Sequence, residues 1–275
     1  GNVSNARYLA GVSGTTNSGI VFGGDNPSPG YLTANEYWNG SSWTELADLN
    51  TARRNLGSTG QTYTAALAAT GRASPGNTGN VESWNGSAWT ETTNVNTTRR
   101  GAGGSGTSTD GLIFGQTNPA YGTQTESWNG SAWTEVNDMS TGRGEGTTRH
   151  TMGTSTAALM SGGVEPSRSS ATEEWSFPPA TSTTRQEGQL YFNSATGTLK
   201  GFERAAGIPS TSWASGGSLN AGRYRISASN TGGTVSASIV FGGYAPSSAP
   251  PNNYFANTES YDGTSFTEVN DLNTA

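Results

Sequence analysis

The sequence predicts an all-β fold: a β-propeller of six blades, each of about four antiparallel strands. Three recurrences carry that reading. The segment Asn80 to Glu91, NVESWNGSAWTE, returns as Gln124 to Glu135, and more loosely as Ala34 to Glu45 and Asn257 to Glu268. An apolar run closed by small residues precedes each of these four copies and appears once more, giving Ile20 to Gly24, Leu67 to Gly71, Leu112 to Gln116, Leu159 to Gly163 and Ile239 to Gly243. An Arg-led segment precedes each run: Arg7 to Gly11, Arg53 to Gly57, Arg99 to Gly103, Arg143 to Thr147 and Arg223 to Ser227. The runs recur about every 45 residues, the length of one four-stranded propeller blade.

Each element has a local reason. The Arg-led segment is read as strand A. The apolar run is read as strand B, buried on both faces, with its Gly pair allowing a close approach or a sharp exit. The aromatic segment is read as strands C and D joined at Asn-Gly or Asp-Gly, residues that tolerate positive φ. The aromatic residues flanking that turn, such as Trp84 and Trp89, sit where cross-strand neighbours pack. A lone hairpin of this kind is marginal in water, so the recurrence points to an array in which each unit buries a face against the next.

Composition agrees. The chain has 275 residues with 40 Gly, eight Trp, ten Tyr and eight Phe, and only 12% are charged. That suits short strands and many turns, and it is not a disordered composition. A net charge of −6 argues against nucleic acid as a partner. No apolar run reaches the ~18 residues of a membrane helix, so no membrane insertion is expected. The start, GNVSNARYLAG, lacks the basic and apolar regions of a signal peptide. Without cysteine and with His150 as the only histidine, thiolate sites, a Cys nucleophile and multi-histidine metal sites are excluded within one chain. No metal or other cofactor is expected.

The Arg before strand A, the Gly pair after B and the spaced aromatics of C and D resemble kelch repeats. The resemblance covers residues 1 to about 177 and 211 to 275. The wording WNGSAWTE, followed by a link such as Leu49 to Arg53, is similar to kelch-like proteins of bacteriophages, which are often virion or tail components. Glu187 to Phe202 also resembles short hairpins of phage structural proteins. Copper oxidases of the kelch-like class need a Cys–Tyr cofactor and histidine ligands, which this chain lacks. It also lacks the Asp-box turns of sialidase-like propellers.

Residues 178–220 break the period. The next apolar run, Leu190 to Ser194, comes too soon, yet Leu190 to Trp213 repeats the spacing of Ile20 to Trp43. This places strands B, C and D of an irregular fifth blade at Gln189–Asn193, Thr198–Glu203 and Thr211–Gly216. The span from Phe177 to Gln186 then offers one strand where two are needed. The six blades fall at about 1–50, 51–96, 97–140, 141–184, 185–220 and 221–275, in a single domain. The alternative is five blades with residues 178–220 as an inserted hairpin. The chain starts just before a strand A and stops where another Arg would follow, so closure is expected to rest on the packing of whole blades.

Features shared by every blade serve the blade. This assigns structural roles to Trp38, Trp43, Trp84, Trp89, Trp128, Trp133, Trp175 and Trp213, with sugar stacking between blades as the alternative. For Arg53, Arg99, Arg143 and Arg223 the structural reading is pairing with acids of strand D or the links, such as Glu45, Glu91 and Asp138. Their alternative is an exposed basic ring at the channel mouth. Asp48, Asp138 and Asp271 recur in the links as caps, with Ca²⁺ ligation as the other reading. Asn39, Asn85 and Asn129 begin glycosylation sequons but are needed in turns. His150 is read as a surface or channel residue.

Specificity is expected in the B–C loops, which differ in every blade. The candidate ligand contacts are Tyr31, Tyr121, Tyr244, Tyr254 and Phe255, since tyrosine gives large contact area at low entropic cost. No catalytic residue is assigned. The chain is expected to be a non-enzymatic virion or tail-associated module, located in the phage particle or outside the cell. Its expected partners are a host-surface glycan or protein and other virion proteins. A free lectin-like propeller and a carboxylate-pair glycosidase are the alternatives.

Overall fold

The computed structural model describes residues 1–27, 30–118, 120–145, 153–165, 167–176, 190–193, 198–201, 212–223, 226–230, 238–244 and 254–273. Among them every regular element is a strand. The first unit holds β1 (Gly11–Thr15), β2 (Ser18–Phe22), a short ribbon of β3 (Asp25–Asn26) and β4 (Gly30–Tyr31), then β5 (Asn35–Trp38) and β6 (Trp43–Leu46). The second holds β7 (Gly57–Thr62), β8 (Ala65–Ala69), β9 (Val81–Trp84) and β10 (Trp89–Thr92). The third holds β11 (Gly103–Gly106), β12 (Gly111–Gln116), β13 (Gly122–Trp128) and β14 (Trp133–Val136).

The fourth unit holds β15 (Ala157–Ser161), the ribbon β16 (Val164–Glu165) and β17 (Ser167–Arg168), and β18 (Thr172–Ser176). A hairpin follows, β19 (Leu190–Asn193) with β20 (Thr198–Gly201), and then β21 (Ser212–Gly216). The last unit holds β22 (Ser227–Asn230), β23 (Ser238–Phe241), β24 (Thr258–Tyr261) and β25 (Phe266–Glu268). Units one, two, three and five are four-stranded antiparallel meanders. The fourth is a three-stranded sheet, β15-β18-β21, among the described residues. Together the sheets make a propeller-like arrangement.

Six blades is therefore corrected. The stretches expected to be strands B, C and D of a fifth blade do not form one sheet. β19 pairs only with β20, whereas β21 pairs with β18, setting Trp213 opposite Trp175. That is the register of Trp89 opposite Trp84 and Trp133 opposite Trp128. Ser212–Gly216 is thus strand D of the fourth unit, and residues 176–212 stand between its paired Trp residues where other units have a four-residue turn. The spacing from Leu190 to Trp213 misled because the inserted hairpin mimics a B–C pair. Residues 146–152 lie outside the described residues. The bridges Gly144–Val164 and Gly153–Ala158 flank that span.

Among the described residues the Arg-led segments lead into strands rather than forming them. Strand A starts four residues after each arginine, at Gly11, Gly57 and Gly103, and at Ser227 in the last unit. The A strands are built of Gly, Ser and Thr because neighbouring units meet there backbone to backbone. A Cβ on Gly104 would lie 2.0 Å from the Ser58 carbonyl oxygen. The hydroxyls tie the units together: Ser58 Oγ donates to Val12 O at 3.3 Å and Thr59 Oγ1 to Thr107 O at 2.8 Å.

The core is a series of inter-sheet layers. Ile20 and Phe22 of the first unit pack on Ala66, Ala68, Trp84 and Trp89 of the second. Leu67 and Ala69 pack on Ile113, Trp128 and Trp133, and Leu112 and Phe114 on Met160 and Trp175. Leu159 packs on Val240, Tyr261 and Phe266. Five sheets thus show four layers among the described residues. Ile239 occupies the β23 position that Leu67 and Leu159 occupy in their strands, yet it is 43% exposed where they are at most 1%. The expected closure by whole blades is not seen on that face.

The C–D turns work differently from expectation. Only the glycine takes positive φ, near 93° at Gly40 and Gly86. The asparagine acts as an acceptor: Asn85 Oδ1 receives the N–H groups of Ser87 and Ala88, both at 2.9 Å. Asn39, Asn129 and Asp262 do the same in their turns. The backbone N–H groups of Ser265 and Thr264 hold the Asp262 carboxyl below the ordinary aspartate range.

Candidate functional site: the bridge-bearing end

The aromatic and arginine residues common to the units are used internally. Trp84, Trp128 and Trp175 are buried, and their indole N–H groups donate to the A–B turn carbonyls of Tyr63, Ser108 and Ser155 at 2.8, 3.0 and 3.0 Å. Trp89 and Trp133 are buried beside them, while Trp38 and Trp43 are half-buried. The side chain of Trp213 lies outside the described residues. Stacking on a sugar is therefore closed to the five buried rings.

Arg53, Arg99, Arg143 and Arg223 are buried, and so is Arg7 in the first unit by its side chain. Their partners are not the expected Glu45, Glu91 and Asp138. Each pairs with the strand-C glutamate of its own unit: Arg7–Glu36, Arg53–Glu82, Arg99–Glu126, Arg143–Glu173 at 3.1 Å and Arg223–Glu259 at 2.8 Å. Burial holds Arg53, Arg99, Arg143 and Arg223 below the ordinary arginine value, against the pull of those carboxylates. The same glutamates clamp the preceding link. Glu82 accepts from the Asn50 N–H at 2.7 Å, and Glu126 from the Asn96 N–H at 2.7 Å. The arginine carbonyl then binds the previous unit, as Gly24 N–H does to Arg53 O and Gly71 N–H to Arg99 O.

Asp138 and Asp271 cap strand C instead, accepting from the N–H groups of Thr125 and Thr258, each at 3.1 Å. Asp48 accepts from Thr33 Oγ1 at 2.9 Å. His150 lies outside the described residues.

Alternating strand directions put the B–C loops and the D–A links on one end of the sheets. Two backbone devices repeat there. Residues two beyond the arginine take positive φ at Leu9, Asn55, Gly101 and Glu145. They join in a chain of hydrogen bonds: Asn55 N–H to Leu9 O, Gly101 N–H to Asn55 O and Glu145 N–H to Gly101 O, at 2.9, 3.0 and 3.1 Å. The residue between the arginine and that position forms an antiparallel bridge to the B–C loop. The pairs are Tyr8–Asp25, Arg54–Arg72, Arg100–Asn118 and Gly144–Val164. The frame is constant, and the side chains on it differ in every unit.

These bridge residues make a polar network. Tyr8 Oη donates to Asp25 at 2.9 Å, Arg54 pairs with the same carboxylate, and the Arg54 guanidinium lies 5.1 Å from the Tyr31 ring centroid. Arg72 Nε donates to Tyr31 Oη at 2.8 Å. Burial works against charge on Arg54, but Asp25 holds it above the ordinary arginine value. Burial, then the nearby Arg72 and Arg54 charges, hold Arg100 below it. Past Gly101, Asn55 Nδ2 donates to Glu145 Oε1 at 2.9 Å, linking the second unit to the fourth.

The candidate contacts lie on this end but do not converge. Tyr31 is pinned in the network. Tyr121 and Tyr254 are exposed, and the Tyr244 and Tyr254 rings pack 5.3 Å apart across a bridge. Phe255 is half-buried, with the Arg223 guanidinium 5.8 Å from its ring. Tyr8, Asp25, Arg54, Arg72 and Arg100 were missed. The signal was available: Arg53-Arg54 and Arg99-Arg100 are doublets whose second member has no counterpart in Arg7-Tyr8 or Arg143-Gly144. No protein-family model matches the chain, and no curated protein matches it.

Proposed function

We propose that this chain is a non-enzymatic binding and structural module: a kelch-type propeller of a phage virion or tail that presents its bridge-bearing end to a host-surface glycan or protein. The observation that supports it is the contrast between frame and display. The arginine and the strand-C glutamate repeated in every unit have buried side chains and pair with each other. The bridge positions share one backbone geometry yet carry Tyr, Asp, Arg, Asn, Gly and Val in turn. A fold that needs nothing particular at those positions leaves them to ligand contact. Of the two blade counts, five with an insertion is favoured, because β21 completes the fourth sheet. The phage context rests on the WNGSAWTE wording and its link.

The test has two arms. Mass spectrometry of purified particles should find the chain as a virion component. The purified chain, fluorescently labelled, should bind host cells and lose binding when bridge-end residues are changed. A chain absent from particles and inert towards host cells overturns the proposal.

A further inference from the structure

We propose that Arg72 and Arg100 form a carboxylate-binding subsite for an acidic saccharide, a sugar ring bearing a carboxylate. This rests on the glycan half of the function above and narrows it. Arginine is not required by the fold at these places. The bridge residue after the buried arginine is Tyr8, Arg54, Arg100 and Gly144 in successive units, on one backbone geometry.

The two side chains also have donors to spare. Among the described residues the Arg72 guanidinium engages only Nε, with Tyr31 Oη. The Arg100 guanidinium makes no hydrogen bond or ion pair among the described residues, and both side chains are partly open to solvent. Of the nearby carboxylates, Asp25 is bound by Arg54 and Tyr8, while Glu145 accepts from Asn55 and attracts Arg100 without forming an ion pair with it. Arginine stays charged at any ordinary pH, and burial with the Arg72 and Arg54 charges outweighs the pull of Glu145 and Tyr31 on Arg100, so a bound anion relieves that repulsion further. This positive edge stands out on a chain of net charge −6.

Two features favour a carboxylate on a sugar. A planar carboxylate matches the guanidinium fork. The two loops are held in fixed relation, because Asn77 Nδ2 donates to Asn118 O at 3.1 Å and Oδ1 at 2.8 Å. Tyr8 is 46% exposed on the same end, a ring against which the apolar face of a pyranose packs.

The experiment is an array of neutral, sulfated, phosphorylated and carboxylated glycans, with acidic peptides as competitors. It compares the intact chain with Arg100→Ala and with Arg72→Ala/Arg100→Ala, each checked by a thermal melt. Binding should be confined to carboxylated glycans and weaken with salt. It should fall about ten- to a hundredfold in the double variant, the loss expected for charged hydrogen bonds. Arg100→Ala removes a side chain that makes no hydrogen bond or ion pair among the described residues, so it should melt like the parent and keep the test valid if the double variant does not fold. Binding that ignores the carboxylate, survives both variants or yields equally to acidic peptides overturns the subsite while leaving the module reading intact. Binding to host cells without any glycan on the array also overturns it, in favour of a protein receptor. Binding to neither counts against the module itself.

Discussion

Arg53 and Glu82 meet as an ion pair with both side chains fully buried, and Glu82 also holds the N–H groups of Asn50 and Thr51. One carboxylate thus fixes strand C, the link from the previous unit and the arginine that leads into strand A. Removing one partner of a buried pair leaves a charge without compensation. Glu82→Ala should therefore destabilise by roughly 3–5 kcal/mol, while Arg53→Met/Glu82→Leu should cost clearly less. Chemical denaturation of the three proteins checks this; equal losses would mean that the pair contributes little beyond its shape.

The inter-sheet layers set a gradient of burial. Leu67→Ala should cost about 2–5 kcal/mol, because Leu67 is fully buried between the second and third units. Ile239→Ala, at the matching place on the open face of the last unit, should cost under about 1 kcal/mol. Matching losses in urea denaturation would show that this face is covered in solution.

The candidate aromatic loop divides into a contact and a support. Tyr254 is 64% exposed, so Tyr254→Ser should leave the melting temperature unchanged and weaken host-cell binding. Phe255 lies against the buried Arg223, so Phe255→Ser should lower the melting temperature. A Tyr254 variant that melts early would make this ring part of the frame.

Much of this arrangement was legible in the sequence, because the propeller repeats its chemistry. The B-strand runs, the C–D aromatics and the turn glycines recur at one period, and the structure places them as strands and turns. The partner of the buried arginines was on the page within the recurring segment, as Glu82 and Glu126. Sequence reading chose Glu91 and Asp138 instead, because acids near the link look closer along the chain than a strand-C acid brought in by pairing. The insertion was misread because a short apolar run such as Leu190 to Phe192 fits any hairpin, and register is settled only by which strand it faces. The bridge residues were hidden for the opposite reason: they do not repeat, so a search for repeats passes over them.

Acid should act through the one aspartate turn. Asp262 stands where the other described C–D turns have asparagine, and its carboxyl is held below the usual value of 3.8 by backbone N–H groups. A group with a depressed folded pKa contributes stability above its unfolded pKa and loses it as pH falls through the folded one. Asp262→Asn keeps the acceptor and removes the titration. The gap in melting temperature between parent and variant should therefore shift in the variant's favour below about pH 4. A gap unchanged from pH 7 to pH 3 would show that the turn does not sense its charge.

The insertion between Trp175 and Trp213 should be removable. β18 and β21 pair over five residues, with Trp175 opposite Trp213, Glu174 opposite Ala214 and Glu173 opposite Ser215. In the second unit the same aromatic pair is joined by Asn85-Gly86-Ser87-Ala88, closed by the Asn85 acceptor and the positive φ of Gly86. Replacing residues 176–212 by Asn-Gly-Ser-Ala, so that Trp175 and Trp213 flank it as Trp84 and Trp89 do, therefore asks the fourth sheet to adopt a turn its neighbours already use. It also shortens the loop that must be closed before β21 finds β18, which lowers the entropic cost of pairing. The shortened chain should fold with an unchanged β-rich circular dichroism spectrum and melt no lower than the parent. A chain that fails to fold would show that the inserted segment contributes to a sheet, and would reopen the count of units.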